Sequence, residues 1–404
     1  MKSNLMQTKR YRLAEWAITL LMILFWTRPT IIGYVLVIIE RMPYIYIFRP
    51  FVMPFLVAVC IIVALPYLRK RIKLKHAFFV LVCMIGVLLT VAFLPKNAEY
   101  IMPELMRILL LSIPMFLLGI VYNHDHGKKL LFIASLLGVL VAFAYQAYRM
   151  ILNKELDVYD MNAAYNLLPS IVYLIYWAFE KRKIWHWLAA FLGLVLCVSY
   201  GTRGPILAAV VVFGVLFVFW AFTGRRRALK IFMLAVLIVG AWVVFTNGML
   251  ETFATKITPL FEKLGFSTRI FDYFLEGNLT IDNGRDKLAD AVIQAIKEKP
   301  LFGYGIMGDR VIINTYVHNI VLEFLCSFGL IGGVILLLLC ILTLLRGVFK
   351  AKTISDKRFL ISMIAMISIK LLFSNSFIIE PYFFLALGLS IGASRHRLPV
   401  DDQN

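Results

Sequence analysis

Residues 318–345, HNIVLEFLCSFGLIGGVILLLLCILTLL, form a nearly unbroken apolar run. This run is longer than the roughly 20 apolar residues that a helix needs to cross a bilayer. Over the 404 residues of the chain, 61% are hydrophobic and the mean hydropathy is +0.85. These values exclude an ordinary soluble globule. They predict an all-α polytopic membrane protein whose residues 1–404 form a single integral membrane domain.

Twelve apolar segments approach the length of a membrane span, so we expect about twelve transmembrane helices. Their predicted bounds are 13–27, 49–68, 76–94, 105–121, 130–149, 164–179, 187–202, 204–222, 231–246, 318–345, 359–376 and 378–394. Residues 95–104 and 150–163 are predicted to be short loops between spans.

The formal net charge of +19 would be compatible with a nucleic acid partner. The basic residues, however, lie in short clusters between apolar runs: Arg69–Lys75, Lys128–Lys129, Lys181–Lys183, Arg225–Lys230 and Arg346–Arg358. All of these clusters fall on one side of the predicted topology, as the positive-inside rule expects for the cytoplasmic side. We therefore predict a multi-pass protein of the cytoplasmic membrane with both termini cytoplasmic and no nucleic acid partner.

One predicted outer loop is large and covers residues 247–317, between the ninth and tenth spans. Helical spacing of apolar residues recurs within it over Leu250–Leu264, Thr268–Leu275 and Arg285–Lys299. The last segment, residues 285–299, has one apolar and one polar face, which is typical of an amphipathic helix. We expect an ordered cap and not a flexible linker.

Three positively chargeable side chains are predicted on the outer side, namely Arg203 between two spans, Arg285 in the first turn of the loop helix, and His318 at the start of a long apolar helix. First-turn N–H groups and a guanidinium can share one phosphate. A helix start favours the neutral imidazole, which accepts protons. The alternatives are that Arg203 reaches lipid headgroups, that Arg285 pairs with Asp282 or Asp286, and that His318 is structural.

Four further residues are expected to support this group. Glu323 lies one helical turn below Asn319 inside an apolar span, where we expect it to orient His318 or to pair with an arginine. Gly303 and Gly305 form the glycine turn that follows the loop helix.

Other polar residues carry weaker signals. Arg107 and Lys370 lie inside predicted spans, where they either line a cavity or reach toward the membrane surface. His124–His126 is expected to be a solvated cytoplasmic turn. The sequence contains no HExxH, P-loop or GxSxG motif and no outer cluster of carboxylates. We therefore predict no metal site and no cofactor.

Three motifs, in this order, resemble the bacterial O-antigen ligase and polymerase superfamily. They are Thr202-Arg203-Gly204 after a span, Arg285 opening a helix that ends in P-x-x-G-x-G at Gly305, and His318-Asn319 followed by GLIGG at residues 329–333. The resemblance covers about residues 190–345.

This resemblance implies metal-independent glycosyl transfer at the outer face of the membrane, from an oligosaccharide on undecaprenyl pyrophosphate. Arg203 and Arg285 would bind the pyrophosphate, and His318 would activate the acceptor hydroxyl. Polymerases of the family join repeat units into O-antigen, capsule or exopolysaccharide, whereas ligases pass the glycan to lipid A–core or another acceptor. We expect a polymerase that works in the lipid bilayer with a flippase and a chain-length regulator, and the ligase is the alternative.

A transporter or flippase for the same lipid-linked sugars is an alternative from another class. It would place its charged residues near the membrane midplane and show repeat symmetry. The candidate residues here are instead predicted at one face, beneath a single asymmetric loop. A metal-dependent glycosyltransferase would need acidic ligands in the first outer loop, where residues 28–48 offer only Glu40.

Overall fold

The computed structural model describes residues 2–32, 34, 49–152, 159–276 and 284–393. Within these ranges the chain is helical and contains no strand. The expected all-α fold class is thereby confirmed. The first outer loop falls largely outside the described residues, as do Asp282 and the C-terminal segment.

The helices before residue 182 pack into one bundle. They are α1 (Lys2–Thr27), α2 (Arg49–Arg71), α3 (Leu74–Phe93), α4 (Pro95–Val121), α5 (His124–Leu152) and α6 (Met161–Lys181). A π-helical turn, Arg28–Ile32, continues α1, and a second, Ile108–Ser112, interrupts α4.

Ten further helices follow in the described part of the chain. They are α7 (Ile184–Ser199), α8 (Arg203–Phe222), α9 (Arg227–Thr246), α10 (Met249–Lys263), α11 (Arg269–Leu275), α12 (Arg285–Glu298), α13 (Gly308–Ile313), α14 (Ile320–Lys350), α15 (Ile354–Phe373) and α16 (Pro381–Gly392).

Six of the described helices are long and apolar enough to cross a membrane, namely α3, α4, α5, α8, α9 and α14. The other predicted spans lie on helices that fall short in length or apolar character, so a count of twelve stays a prediction. Residues 95–104, expected to be a loop, belong to α4 instead. Pro95 is the first residue of that helix, a position where its fixed φ and missing N–H favour helix initiation.

The core of the bundle is centred on α6, which packs against α5, α7, α8 and α15. Large aromatic side chains fill the space around it, including Trp26 and Tyr173, whose ring centroids are 5.8 Å apart. His124 belongs to this core, so the expected solvated turn is wrong at that residue. Its ring is buried, stacks on Phe359 at 4.2 Å and lies 3.3 Å from a carboxylate oxygen of Asp356.

Residues 247–317 hold α10 to α13, and the first three helices lie within one residue of the ranges expected from helical spacing. Phe261 and Phe271 join α10 to α11 with ring centroids 4.9 Å apart. Val292 and Ile296, on the apolar face of α12, are buried in a cluster that includes Cys326 of α14. The described part of the segment therefore forms two clusters, one in which α10 and α11 pack with Val198 of α7 and one in which α12 packs on α14.

Candidate functional site

Arg285 and His318 reach the same helix end from two different elements. Arg285 is the first residue of α12, and its guanidinium donates a hydrogen bond to the carbonyl of Phe373, the last residue of α15. His318 lies just before α14, and its ring forms a hydrogen bond with the backbone of Ser374, the residue that follows Phe373. Two of the three predicted site residues are therefore neighbours.

The backbone of Arg203 lies beside this helix end. A Cβ added to the adjacent Gly204 would come within 1.9 Å of the Tyr165 hydroxyl and 3.0 Å of the Ser374 Oγ. These two hydroxyl groups bond to each other. The Arg203 guanidinium itself stacks on the ring of Tyr273 in α11, with its central carbon 4.6 Å from the ring centroid.

The turn before Arg203 also contacts Ser267, which lies just before α11 in the large loop. Gly201 has a left-handed φ of 70°, and a Cβ there would lie 2.5 Å from the Ser267 Oγ. The Ser267 N–H donates a hydrogen bond of 3.1 Å to the carbonyl of Ser199. Within α11, Arg269 donates a 2.7 Å bond to the Tyr273 hydroxyl, while the Ser267 bond is the one that joins the loop segment to the Arg203 turn.

His318 lies in an environment that disfavours its charged form. Burial is the main cause of its lowered pKa, followed by repulsion from Arg285, while the bond to the Ser374 backbone acts in the opposite direction. The ring is therefore neutral near pH 7. Its Nδ1 atom is buried and has no hydrogen-bond partner among the described residues, so this nitrogen can accept a proton.

The backbone of His318 is also unusual. Its φ is +59°, a left-handed conformation that costs a non-glycine residue energy. Its ring lies 4.2 Å from that of Tyr316, measured between centroids. The surrounding structure therefore fixes the imidazole in an orientation that the local sequence alone would not favour.

Glu323 takes the second of the two roles expected for it, because it pairs with an arginine. Its carboxylate lies 3.3 Å from Arg310, accepts a 3.1 Å bond from the Phe377 N–H and accepts a further bond from the Ser376 hydroxyl. Arg310 also pairs with Asp309 at 2.9 Å. The network is buried and anchors α13 to α14 and to the residues after α15.

Sequence reasoning missed Arg310. The signal was present, because Asp309-Arg310 is an adjacent pair of opposite charges next to the apolar residues of Val311–Ile313. Buried charges are usually paired, so such a dipeptide indicates a third, more distant charged partner.

The supporting residues Asn319, Gly303 and Gly305 have structural contacts. The Asn319 side chain caps α14 by accepting bonds of 2.9 Å and 3.3 Å from the N–H groups of Val321 and Leu322. This is the usual action of an N-cap asparagine, which satisfies donors at a helix start.

The glycine turn packs onto a break in α14. Gly329 interrupts that helix with a φ of 70° and a ψ of −179°. The Tyr304 and Gly305 N–H groups donate bonds of 2.7 Å and 2.9 Å to the carbonyls of Cys326 and Ser327, just before the break. A Cβ on Gly303 would lie 2.4 Å from the Cys326 carbonyl oxygen. The two glycine-containing motifs are thus bound to each other.

A cavity of about 300 Å³ adjoins the Phe373–Ser374 helix end, and Tyr165 and Ser374 form part of its wall. Its other polar lining residues are Arg28, Arg107, Asn162, Asn166, Tyr316, Lys370, Asn375, Glu380 and Tyr382. The cavity thus combines three cations with a single carboxylate.

Two of the cations in the cavity face each other. Burial lowers the pKa of Arg28, and repulsion from Arg107 lowers it further. Lys370 pairs with Glu380 at 2.6 Å and Arg107 with Glu104 at 3.0 Å, but no described carboxylate lies within salt-bridge distance of Arg28. The cavity therefore favours an anion.

Of the two roles left open for Arg107 and Lys370, cavity lining is the one observed. Sequence reasoning missed Arg28, although a basic residue directly after a predicted span, on the side predicted to lie opposite the basic clusters, departs from the positive-inside pattern.

Comparison with known proteins adds one match. Residues 188–337 match the family model Wzy_C, described as O-antigen ligase. No curated protein and no solved structure matches the chain. The matched region runs from α7 into α14 and contains Arg203, Arg285 and His318. The family match covers the region in which the sequence resembles the O-antigen ligase and polymerase superfamily, and it supports that resemblance.

Proposed function

We propose that this protein polymerises undecaprenyl-pyrophosphate-linked oligosaccharide units by glycosyl transfer at the outer face of the cytoplasmic membrane. The observation that carries the proposal is the meeting of Arg285 and His318 at Phe373–Ser374, beside a cavity rich in cations. An anion ligand and a neutral proton acceptor are the two groups that this reaction needs. The spans that fall short in length or apolar character would complete a twelve-span topology with both termini cytoplasmic.

In the proposed reaction a hydroxyl of the acceptor unit attacks the anomeric carbon of the donor glycan. His318 takes the hydroxyl proton as the new glycosidic bond forms, which typically contributes ~10²–10⁴-fold in rate. The bond from the anomeric carbon to the pyrophosphate oxygen breaks, and undecaprenyl pyrophosphate leaves with the electron pair. Arg285 stabilises the charge on the leaving pyrophosphate.

Arg203 would be the second pyrophosphate ligand. Its guanidinium now stacks on Tyr273, a contact worth only about 0.5–2 kcal/mol. A pyrophosphate offers charge-assisted, bidentate bonds that are stronger than a ring stack. The donor pyrophosphate would therefore bind Arg203 as well as Arg285.

The leaving group needs no general acid, because a pyrophosphate neutralised by arginines already leaves readily. We accordingly propose transfer without a metal and without a cofactor. The acceptor would be a second lipid-linked unit in a polymerase, and lipid A–core or another acceptor in a ligase, which is the alternative function.

One reconstitution experiment separates the candidate functions. The purified protein is placed in liposomes with a single lipid-linked repeat unit, and products are separated by size. A polymerase forms a ladder of longer lipid-linked glycans from that substrate alone. A ligase forms no new bond until a second acceptor is added, and a flippase moves the lipid across the bilayer without forming any bond.

The same assay tests the site. His318→Ala should form no ladder while still inserting into the liposomes. The matched control is His126→Ala, which removes a histidine whose ring lies 3.2 Å from the Thr19 hydroxyl in a different part of the protein. A ladder of normal rate from His318→Ala would remove the histidine from the mechanism.

A further inference from the structure

A second cavity, of about 440 Å³, lies at the opposite end of α8 from Arg203. Five basic residues line it, and they come from three separate segments of the chain. These are Arg182 after α6, Arg225, Arg226 and Lys230 around the connection from α8 to α9, and Arg358 in α15. No acidic residue is among the described residues of its lining.

Two of these cations are almost fully enclosed. Arg358 is 8% exposed and binds Glu180 at 3.0 Å, while its Nε atom has no hydrogen-bond partner among the described residues. Lys230 is 9% exposed and donates bonds to the backbone carbonyls of Trp220 and Thr223. Their charges are therefore poorly solvated, and only one carboxylate offsets them.

Such a group of like charges is unfavourable unless an anion joins it. The connection between α8 and α9 is fixed in a tight conformation, because Gly224 and Arg226 both have left-handed φ values, of 76° and 57°. Arg182 has a φ of 55° at the end of α6. Three residues with left-handed φ therefore shape the backbone beside the cavity, and both of these segments contribute cations to its lining.

One wall of the cavity is apolar. It is formed by Leu229, Met233 and Ile354, which are 53%, 46% and 51% exposed. Leu229 and Met233 belong to α9, a candidate membrane span whose apolar surface is almost entirely uncovered by protein. A small soluble anion would gain nothing from contact with this apolar wall. A phospholipid would place its acyl chains along the wall and its phosphate among the cations.

We propose that this cavity binds the phosphate headgroup of an anionic phospholipid, with the acyl chains lying along α9. The site does not depend on the proposed glycosyl transfer, since it lies at the other end of the helices. Basic pockets between transmembrane helices bind acidic headgroups, and each Lys or Arg near the surface strengthens binding by about fivefold.

The test is native mass spectrometry of the full-length protein, purified in a neutral detergent and mixed with either phosphatidylglycerol or phosphatidylcholine. The wild type should retain phosphatidylglycerol through detergent removal and lose phosphatidylcholine. Arg225→Gln with Arg226→Gln should weaken retention of phosphatidylglycerol by about 25-fold, the product of two fivefold losses. Arg182→Gln alone provides a second variant on a different segment and should weaken retention severalfold.

The matched control removes two positive charges at residues that do not line the cavity. Lys73→Gln with Lys75→Gln neutralises two exposed residues of another basic cluster, which lines no part of this cavity. Retention in that variant should equal the wild type. Equal losses in both double variants would show that net charge alone attracts the lipid and would overturn the proposal. Equally tight binding of soluble glycerol 3-phosphate would also overturn it, because the apolar wall would then contribute nothing.

Discussion

Arg285 and His318 bind to two consecutive residues of one helix end, the carbonyl of Phe373 and the backbone of Ser374. The charge of Arg285 contributes to the lowered pKa of His318. An anionic substrate that neutralises Arg285 would reduce this repulsion and raise the pKa of the histidine. Donor binding would thus make His318 a stronger base at the moment when the reaction needs one.

The first prediction concerns the pH dependence of His318. Its pKa lies below the usual 6.5, so the ring is neutral above pH 7 and becomes protonated only in more acidic solution. At subsaturating donor the transfer rate reports the free protein, so it should be constant above pH 7 and should fall as pH drops through the lowered pKa. Initial rates of ladder formation between pH 5 and 8 check this. A rate that rises in acid would mean that His318 acts in its protonated form.

The second prediction is that Arg285→Lys loses nearly as much activity as Arg285→Ala. One N–H of the guanidinium is already used on the Phe373 carbonyl, and the others remain for a phosphate. An ammonium offers a point charge and cannot reproduce this planar fork. Steady-state rates in liposomes measure the effect, with Lys287→Ala on the exposed face of α12 as the control. Near-normal activity of the lysine variant would reduce the role of Arg285 to charge alone.

The third prediction concerns the buried network around Arg310. Arg310→Ala leaves the carboxylates of Asp309 and Glu323 buried without their arginine, at 0% and 1% exposure. Breaking a buried ion pair in this way typically costs about 3–5 kcal/mol. Thermal unfolding in detergent should show a large fall in midpoint. Exposed Lys287→Ala should shift the midpoint little, and a similarly small shift for Arg310→Ala would show that the network contributes no stability.

The fourth prediction compares two glycines with left-handed φ. At Gly303 a Cβ would lie 2.4 Å from the Cys326 carbonyl oxygen, whereas at Gly284 nothing lies within 4 Å. Both alanine variants carry the backbone strain, about 1–2 kcal/mol, but only Gly303→Ala also separates the turn from α14. Gly303→Ala should therefore have the lower unfolding midpoint. Equal midpoints would mean that the close approach is unimportant.

The fifth prediction is that the transfer survives a chelator. The described residues include one group that could hold a metal, His124, Asp125 and Asp356, whose ligand atoms lie within 4.8 Å of one another. Asp356 lies near the start of α15, whereas the candidate site lies at the other end of that helix, at Phe373. Ladder formation in EDTA should therefore match the untreated rate. Loss of activity that added Mg²⁺ restores would favour a metal-dependent transferase instead.

The positions of Arg285 and His318 could be inferred from the sequence because helix boundaries carry strong local signals. An arginine in the first turn of an amphipathic helix and a histidine before a long apolar run each occupy an unusual place in a simple pattern. Their contact with residues 373 and 374 could not be inferred, because it depends on how α12, α14 and α15 pack. No local pattern contains that information.

The stacking of Arg203 on Tyr273 and the pairing of Glu323 with Arg310 could not be inferred from the sequence for the same reason. Each joins residues from different helices, and one sequence offers several partners of suitable charge. Arg28 was missed for a different reason, since it is a single residue at the end of a span. The cavity that it lines is assembled from five separate parts of the chain.

The break at Gly329 bears on which part of α14 lies in the hydrocarbon layer of the membrane. α14 has 31 residues and would be about 46 Å long if it were straight, well beyond the ~30 Å of a hydrocarbon layer. Residues 330–350 alone extend for about 31 Å, and large outward-facing apolar side chains become frequent at Leu330. Backbone carbonyls at that depth cannot be left facing acyl chains. We therefore expect the turn at Pro300–Gly305, whose N–H groups bind the carbonyls of Cys326 and Ser327, to lie at the membrane boundary, where a polyprenyl lipid would meet protein as it leaves the bilayer.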